Sequence, residues 1–242
     1  MPPLFEELDY CETDIGTLSL RRRRDLRLNQ DVYEINLGEE VLMSSSFTAS
    51  EVALADLGLA ACEGKSLDVV VGGLGLGYTA EAALKEDRLR DLLVVEKLRP
   101  VIDWHESGLL PLGPVSTGDS RCRLVEGDFF AMAGSQAGLD PDTLGRRFDA
   151  VLVDIDHSPD FFLNPANEAF YSAEGLSGLR RHLKHGGVFG LWSNDAPDDG
   201  FTARLSETFA EAWAKPVIFH NPLHDLEEIQ TVYLARRADP PH

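Results

Sequence analysis

Leu67-Asp68-Val69-Val70-Val71-Gly72-Gly73-Leu74-Gly75-Leu76-Gly77 decides how the rest of this chain is read. A β-branched, apolar run passes straight into closely spaced glycines, and Tyr78 to Leu84 behind them has helical character. Continuous apolar strands belong to parallel sheets covered on both faces. Glycines at such a junction let the backbone turn tightly and approach a bound nucleoside, and the start of the next helix offers unpaired N–H groups. The turn alone also serves NAD-binding proteins and purely structural corners.

A carboxylate at the right distance narrows the choice. Leu92-Leu93-Val94-Val95-Glu96 is a second apolar strand, and it ends in an acid 19 residues after Gly77. That spacing suits an acceptor for ribose hydroxyls at the carboxyl end of the neighbouring strand. The competing reading is a surface acid capping the strand end.

From Ser50 onward, helical and strand patterns alternate, which predicts a mainly parallel sheet with right-handed crossovers. Ser50 to Ala55 opens a helix ahead of the glycine strand, and Pro100 to His105 begins another. Cys122 to Asp128 and Phe148 to Asp154 are strands ending at acids, with Ala133 to Arg147 between them as a surface loop or short helix. Ala173 to Leu183 reads as a helix closed by Lys184-His185-Gly186-Gly187, followed by a strand at Val188 to Trp192. Pro216 to His220 and Thr231 to Ala235 read as an antiparallel hairpin at the sheet edge. The expected fold is α/β: a Rossmann-like, seven-stranded, mostly parallel sheet over residues 50–242 with a C-terminal antiparallel hairpin.

Residues 1–49 differ, with short alternating segments at Ile15 to Leu20, Val32 to Leu37 and Val41 to Met43 punctuated by Gly16 and Gly38. They predict a small N-terminal β element, which also offers a surface for a homodimer. Arg21-Arg22-Arg23-Arg24 within it is read as a solvated strand end or loop, since like charges spread over solvent.

With 242 residues and 43% hydrophobic content, the chain has ample material for one large domain, while its formal charge of −19 is unusual. Such acidity repels phosphate backbones and anionic lipid, so neither nucleic acid nor membrane is an expected partner, whereas a small cationic substrate suits it. Cys11, Cys62 and Cys122 form no zinc-type cluster and read as reduced thiols. No apolar run approaches membrane-spanning length and the amino terminus lacks a signal-like pattern, so a cytoplasmic location is expected. His220 and His224 stand beside Asp225 with Pro222 between them, and His182 and His185 fall near a helix end; no metal site is expected from either pair.

Four features thus fall at the carboxyl ends of successive strands: the Gly73/Gly75/Gly77 turn, Glu96, Asp128 and Asp154. In an open α/β sheet they converge on one crevice. Together with Pro165-Ala166, Phe170-Tyr171 and Leu183 to Gly187, these segments resemble class I S-adenosylmethionine-dependent methyltransferases, and more narrowly the spermidine synthase-like (aminopropyltransferase) family. The resemblance implies that Glu96 holds a ribose, that Asp128 meets the adenine amino group and that Asp154 faces an attacking amine. It also implies that Met43 and Phe47 close over the co-substrate.

Three positions depart from that family. Gly75 stands where an acid usually meets the ammonium of decarboxylated S-adenosylmethionine, and an acid there would repel a carboxylate. Asp154-Ile155-Asp156-His157 carries a histidine where a second acid usually stands, and Ala49-Ser50 replaces the usual tyrosine or histidine ahead of Glu51. The resulting expectation is an alkyltransferase using S-adenosylmethionine or its decarboxylated form on an amine-type nucleophile. Methyl is favoured over aminopropyl, Asp154 with Asp156 or His157 takes the proton, and Trp192, Ser193 and Asn194 line the acceptor pocket, with a core position as the equal alternative for Trp192. A polyamine aminopropyltransferase and a non-catalytic nucleotide-binding regulator are the alternatives.

Overall fold

A computed structural model describes residues 3–222 and 225–239. Its first four strands, β1 (Phe5–Thr13), β2 (Gly16–Asp25), β3 (Gln30–Leu37) and β4 (Glu40–Ser44), pair in that order as an antiparallel sheet. Leu18, Leu20 and Ile35 turn inward and join the main core. Strand β1 has no apolar alternation because it is a largely exposed edge, and Asp9 at its bulge accepts the indole N–H of buried Trp104 at 2.5 Å.

The arginine run forms the end of β2, inside the strand and not in a loop. Its flanking strands supply the counter-charges: Arg22 meets Glu6 at 2.9 Å, Arg23 meets Glu34 at 2.8 Å and Arg24 meets Asp31 at 3.3 Å. Four like charges are tolerated because alternate side chains leave opposite faces of a strand, each beside an acid.

After α1 (Ala49–Ala60) come β5 (Leu67–Gly72), α2 (Tyr78–Leu84), β6 (Leu89–Glu96), α3 (Arg99–Glu106), α4 (Gly113–Gly118), β7 (Cys122–Glu126), α5 (Phe129–Gly134) and β8 (Phe148–Val153). A 3₁₀ segment (Pro165–Tyr171), α6 (Ala173–Arg180), β9 (Leu183–Ser193), α7 (Asp199–Thr208), β10 (Glu211–Asn221) and β11 (Leu226–Arg236) complete the chain. The seven strands are ordered β10-β11-β9-β8-β5-β6-β7. Strands β5 to β9 are parallel, and β11 runs against both β9 and β10.

Successive residues of the central strands serve opposite faces of the sheet. Val69, Val71, Val94 and Leu152 pack under α1, α2 and the N-terminal sheet, whereas Val70, Val95, Val151 and Val153 pack with Phe170, Phe189 and Phe201 on the other side. Each such fully buried side chain is worth roughly 1.5–3 kcal/mol. No helix among the described residues is long and apolar enough to cross a membrane.

Three local expectations are corrected. Leu183 to Gly187 opens β9 instead of ending a helix: α6 stops at Arg180, and the Lys184 ammonium is drawn to Asp68 and Asp149 at 2.8 and 2.7 Å. Within Ala133 to Arg147, Leu139 and Asp140 are buried, because Arg123 and Arg146 hold the Asp140 carboxylate at 2.7 and 3.0 Å. Helix α7 has no counterpart in the sequence reading; Asp198 caps it by accepting from the amides of Gly200 and Phe201.

Candidate active site

Strand β5 lies between β6 and β8, so chain connections leave it toward opposite sides and the sheet opens a crevice at its carboxyl end. The glycine turn forms the floor of that crevice. Gly73 has φ +93°, and a Cβ there would stand 2.1 Å from the backbone oxygen of Asp154. Gly75 has φ +48°, and its missing side chain leaves room for the Met43 sulfur, 2.4 Å from where a Cβ would be. Nε2 of buried His105 donates to the Gly75 carbonyl at 2.8 Å, so its buried Nδ1 is the bare nitrogen and burial holds the ring's pKa below the usual range.

Glu96 is buried, not a surface acid. Its two carboxylate oxygens accept from the amides of Leu74 at 2.9 Å and Leu98 at 2.8 Å, tying the end of β6 to the glycine turn. Burial pushes its pKa up, and the surrounding N–H groups offset part of that. Asp128 caps α5 through the Ala131 amide at 3.1 Å and meets the Lys97 ammonium at 3.1 Å. Burial opposes these contacts, yet they hold the Asp128 carboxyl below the usual range. Glu96, Asp128, Gly73, Gly75 and Asp154 all line one cavity of about 110 Å³, walled by apolar side chains such as Ile35 and Phe130.

A second cavity of about 330 Å³ adjoins it and shares Met43, Gly75, Asp154 and Ile155. Gly77, Glu51, His157, Trp192, Asn194 and Glu228 line this part. Asp154 is half-buried at the end of β8 and accepts from Thr79 Oγ1 at 2.8 Å. Burial pushes its pKa up to about 6. Glu51, in the first turn of α1, is pushed up to about 7 by burial and then by the Asp154 charge. Glu51 carries no role among the site residues read from sequence; it appears there only behind the departing Ala49-Ser50 pair of the family resemblance and at the opening of the helix before β5.

The remaining sequence candidates separate. Asp156 is buried and turned away from both cavities, accepting from the Leu163 amide (2.7 Å), Asn167 Nδ2 (2.9 Å) and Tyr171 Oη (2.9 Å). It ties down the segment after β8. His157 faces the second cavity, stacks on Phe161 at 4.9 Å and approaches Glu40 at 3.5 Å. Trp192 and Asn194 line that cavity, whereas Ser193 is buried and accepts from the Asp195 amide at 3.2 Å. Met43 borders both cavities, and Phe47 stacks with Phe219 at 6.0 Å on the wall of the second.

His182 Nε2 is 3.0 Å from the Ala133 carbonyl and His185 Nδ1 is 3.2 Å from the Ala238 carbonyl. His224 lies outside the described residues. Among the described residues, no three metal-binding side chains converge.

No protein-family model matches the sequence. Among solved structures, the chain is similar to the spermidine synthase of Thermotoga maritima, with TM-score 0.70 and 16% identity over 97% of this chain and 74% of that one. It is also similar to a spermidine synthase in complex with the transition state analogue AdoDATO, with TM-score 0.72 and 17% identity over 97% and 75% of the two chains. At such identity the likeness is one of architecture, and it extends through the N-terminal sheet as well as the seven-stranded one. This chain therefore has the fold of the spermidine synthases.

Proposed function

We propose that this chain is an alkyltransferase that takes an adenosyl sulfonium in the first cavity and a cationic amine-type acceptor in the second, with methyl as the transferred group. The observation that carries this reading is the position of Asp154, which borders both cavities where they meet. A group bridging the two compartments passes its carboxylate.

The residues fit such a co-substrate. The Glu96 carboxylate accepts from backbone amides at the turn and borders the first cavity, where a ribose hydroxyl would meet it. Asp128 is ionised and can accept from an adenine amino group, and Ile35 and Phe130 offer apolar walls to a base. Once bound, a sulfonium supplies an alkyl carbon already activated toward a nucleophile. The protein's own task is then to orient the acceptor, exclude water and hold its proton. A carboxyl raised to about 6 is well matched to taking a proton near neutral pH. Acidic walls at Asp154 and Glu228 favour a cation as acceptor.

Methyl transfer is supported by Gly75, where the Met43 sulfur fills the volume that an acidic side chain would need. Aminopropyl transfer has one observation in its favour: no Lys or Arg lines the second cavity, among the described residues, to meet the carboxylate of intact S-adenosylmethionine.

Calorimetric titration with S-adenosylmethionine, its decarboxylated form and methylthioadenosine tests the reading. We expect all three to bind, S-adenosylmethionine more tightly than the decarboxylated form. Preference for the decarboxylated form would transfer the assignment to aminopropyl, and no binding by any of them would leave a non-catalytic scaffold. In a turnover assay Asp154→Asn is expected to lower kcat by about 10²-fold or more, the range for a lost proton acceptor.

A further inference from the structure

The polar neighbours of Ser50 bear on where the Glu51 proton lies. Ser50 Oγ has three polar neighbours: Trp192 Nε1 at 2.8 Å, Glu51 Oε2 at 2.8 Å and Gln230 Oε1. The indole can only donate, so Ser50 accepts from it. Gln230 lies with its Nε2 donating to Asn194 Oδ1 at 2.7 Å and its Oε1 turned to Ser50. A carbonyl oxygen can only accept, so the single hydroxyl hydrogen of Ser50 is spent on Gln230. The Ser50–Glu51 contact must then be made by a hydrogen on Glu51.

Asp154 is placed the other way. The Thr79 hydroxyl has two acceptors, Asp154 Oδ2 at 2.8 Å and the Glu51 backbone carbonyl at 3.3 Å, and its hydrogen goes to the nearer, so Asp154 needs no hydrogen of its own for this contact. Both acids line one cavity, faced by Tyr78 on α2, His157 in the segment after β8 and Glu228 on β11, with no Lys or Arg among the described lining residues. Two ionised carboxylates in such a place repel each other, and one proton between them removes most of that cost.

We propose that Glu51 is a neutral carboxylic acid in the resting protein, donating its hydrogen to Ser50, and that it is the positioning residue that leaves Asp154 as the only charge of the pair. The pair then carries one negative charge, matched to one ammonium group of an acceptor. The role given to that ammonium rests on the alkyltransferase reading; the location of the proton does not. Burial, and then the Asp154 charge, push the Glu51 pKa in the direction that this arrangement requires.

The test uses ligand-free, full-length protein with ¹³C-labelled side-chain carboxyls, followed by NMR across pH 4 to 9 and assigned with Glu51→Gln and Asp154→Asn. We expect the Glu51 carbon to report a neutral carboxyl at pH 6, Asp154→Asn to lower the Glu51 midpoint by about one pH unit as a like-charged neighbour is removed, and Glu51→Gln to leave the Asp154 midpoint nearly unmoved.

Ser50→Ala, which leaves both acids in place, decides the direction of the bond. Loss of an acceptor for the Glu51 hydrogen lowers the Glu51 midpoint, whereas loss of a donor raises it. A Glu51 midpoint in the ordinary range near 4.5, or a rise in Ser50→Ala, would overturn the proposal and show Gln230 and Asn194 with their amides reversed. Methylthioadenosine titration of the same samples reports on the alkyltransferase reading separately, since it probes the first cavity.

Discussion

Replacing Gly73 with alanine probes the joint on which the site depends. Both sides of that joint are pinned: the Gly73 amide donates to Val95 at 2.9 Å, and the Asp154 amide donates to the Gly72 carbonyl at 2.8 Å. An alanine must hold φ +93° and must bring a methyl group within 2.1 Å of the Asp154 backbone oxygen. The backbone strain costs about 1–3 kcal/mol. Overlap with a carbonyl that is fixed in the sheet costs about 1–3 kcal/mol more. A total of about 2–6 kcal/mol corresponds to a fall in Tm of about 5–20 °C for a chain of this size.

The cheapest relief is to push the end of β8 outward, which carries Asp154 away from the seam between the cavities. Thermal unfolding should show the drop, and methylthioadenosine titration should show affinity reduced by about 10-fold or more, as a 1.4 kcal/mol loss gives. A Gly73→Ala protein with Tm within about 2 °C of the parent and unchanged affinity would refute the reasoning, because the turn would then have slack that the geometry denies.

Gly75→Asp alone should weaken methylthioadenosine binding, since the new side chain collides with Met43, whereas Met43→Ala/Gly75→Asp should recover it and gain affinity for the decarboxylated co-substrate, read by calorimetry. Folded Asp154 and Glu51 have pKa values raised to about 6 and about 7, so the folded state holds their protons more tightly than the unfolded chain. Their contribution is greatest on the acid side and is lost as pH rises through those values. Glu51→Gln should therefore compare more favourably with the parent at pH 8 than at pH 5 in thermal melts. Glu86 works in reverse: Arg88 holds its pKa down to about 2, so its stabilisation is present above the unfolded carboxyl range and fades as pH falls toward 2. Asp68 is buried at the opposite end of the sheet among Arg90, Arg146 and Lys184; Asp68→Asn should cost at least about 2 kcal/mol in denaturant unfolding yet leave methylthioadenosine affinity unchanged.

Where pattern and burial coincide, the linear chain is sufficient. Val69 to Val71 and Leu92 to Val95 are buried on both faces of the sheet, so their composition announces central parallel strands, and the glycines mark the turn because positive φ leaves few other choices. Glu96 is legible for the same reason, as spacing along a βαβ unit translates into position at a strand end. Strand β1 and helix α7 were hidden, one because an exposed edge needs no apolar alternation and the other because its cap and three buried residues leave a weak pattern.

The chemistry around the acids was decided only in three dimensions. Asp154 and Asp156 are two residues apart in the chain, yet one faces the seam of two cavities and the other is consumed by Leu163, Asn167 and Tyr171. Glu51 lies more than a hundred residues from Asp154, and only the packing of α1 against the end of β8 makes them neighbours. Residue type and spacing thus determined the sheet, its turn and the acid at the end of β6, because those depend on local periodicity. Which carboxyl is charged, which is neutral and which merely braces a loop depended on burial and on the donors brought from distant segments, and no linear pattern encodes those.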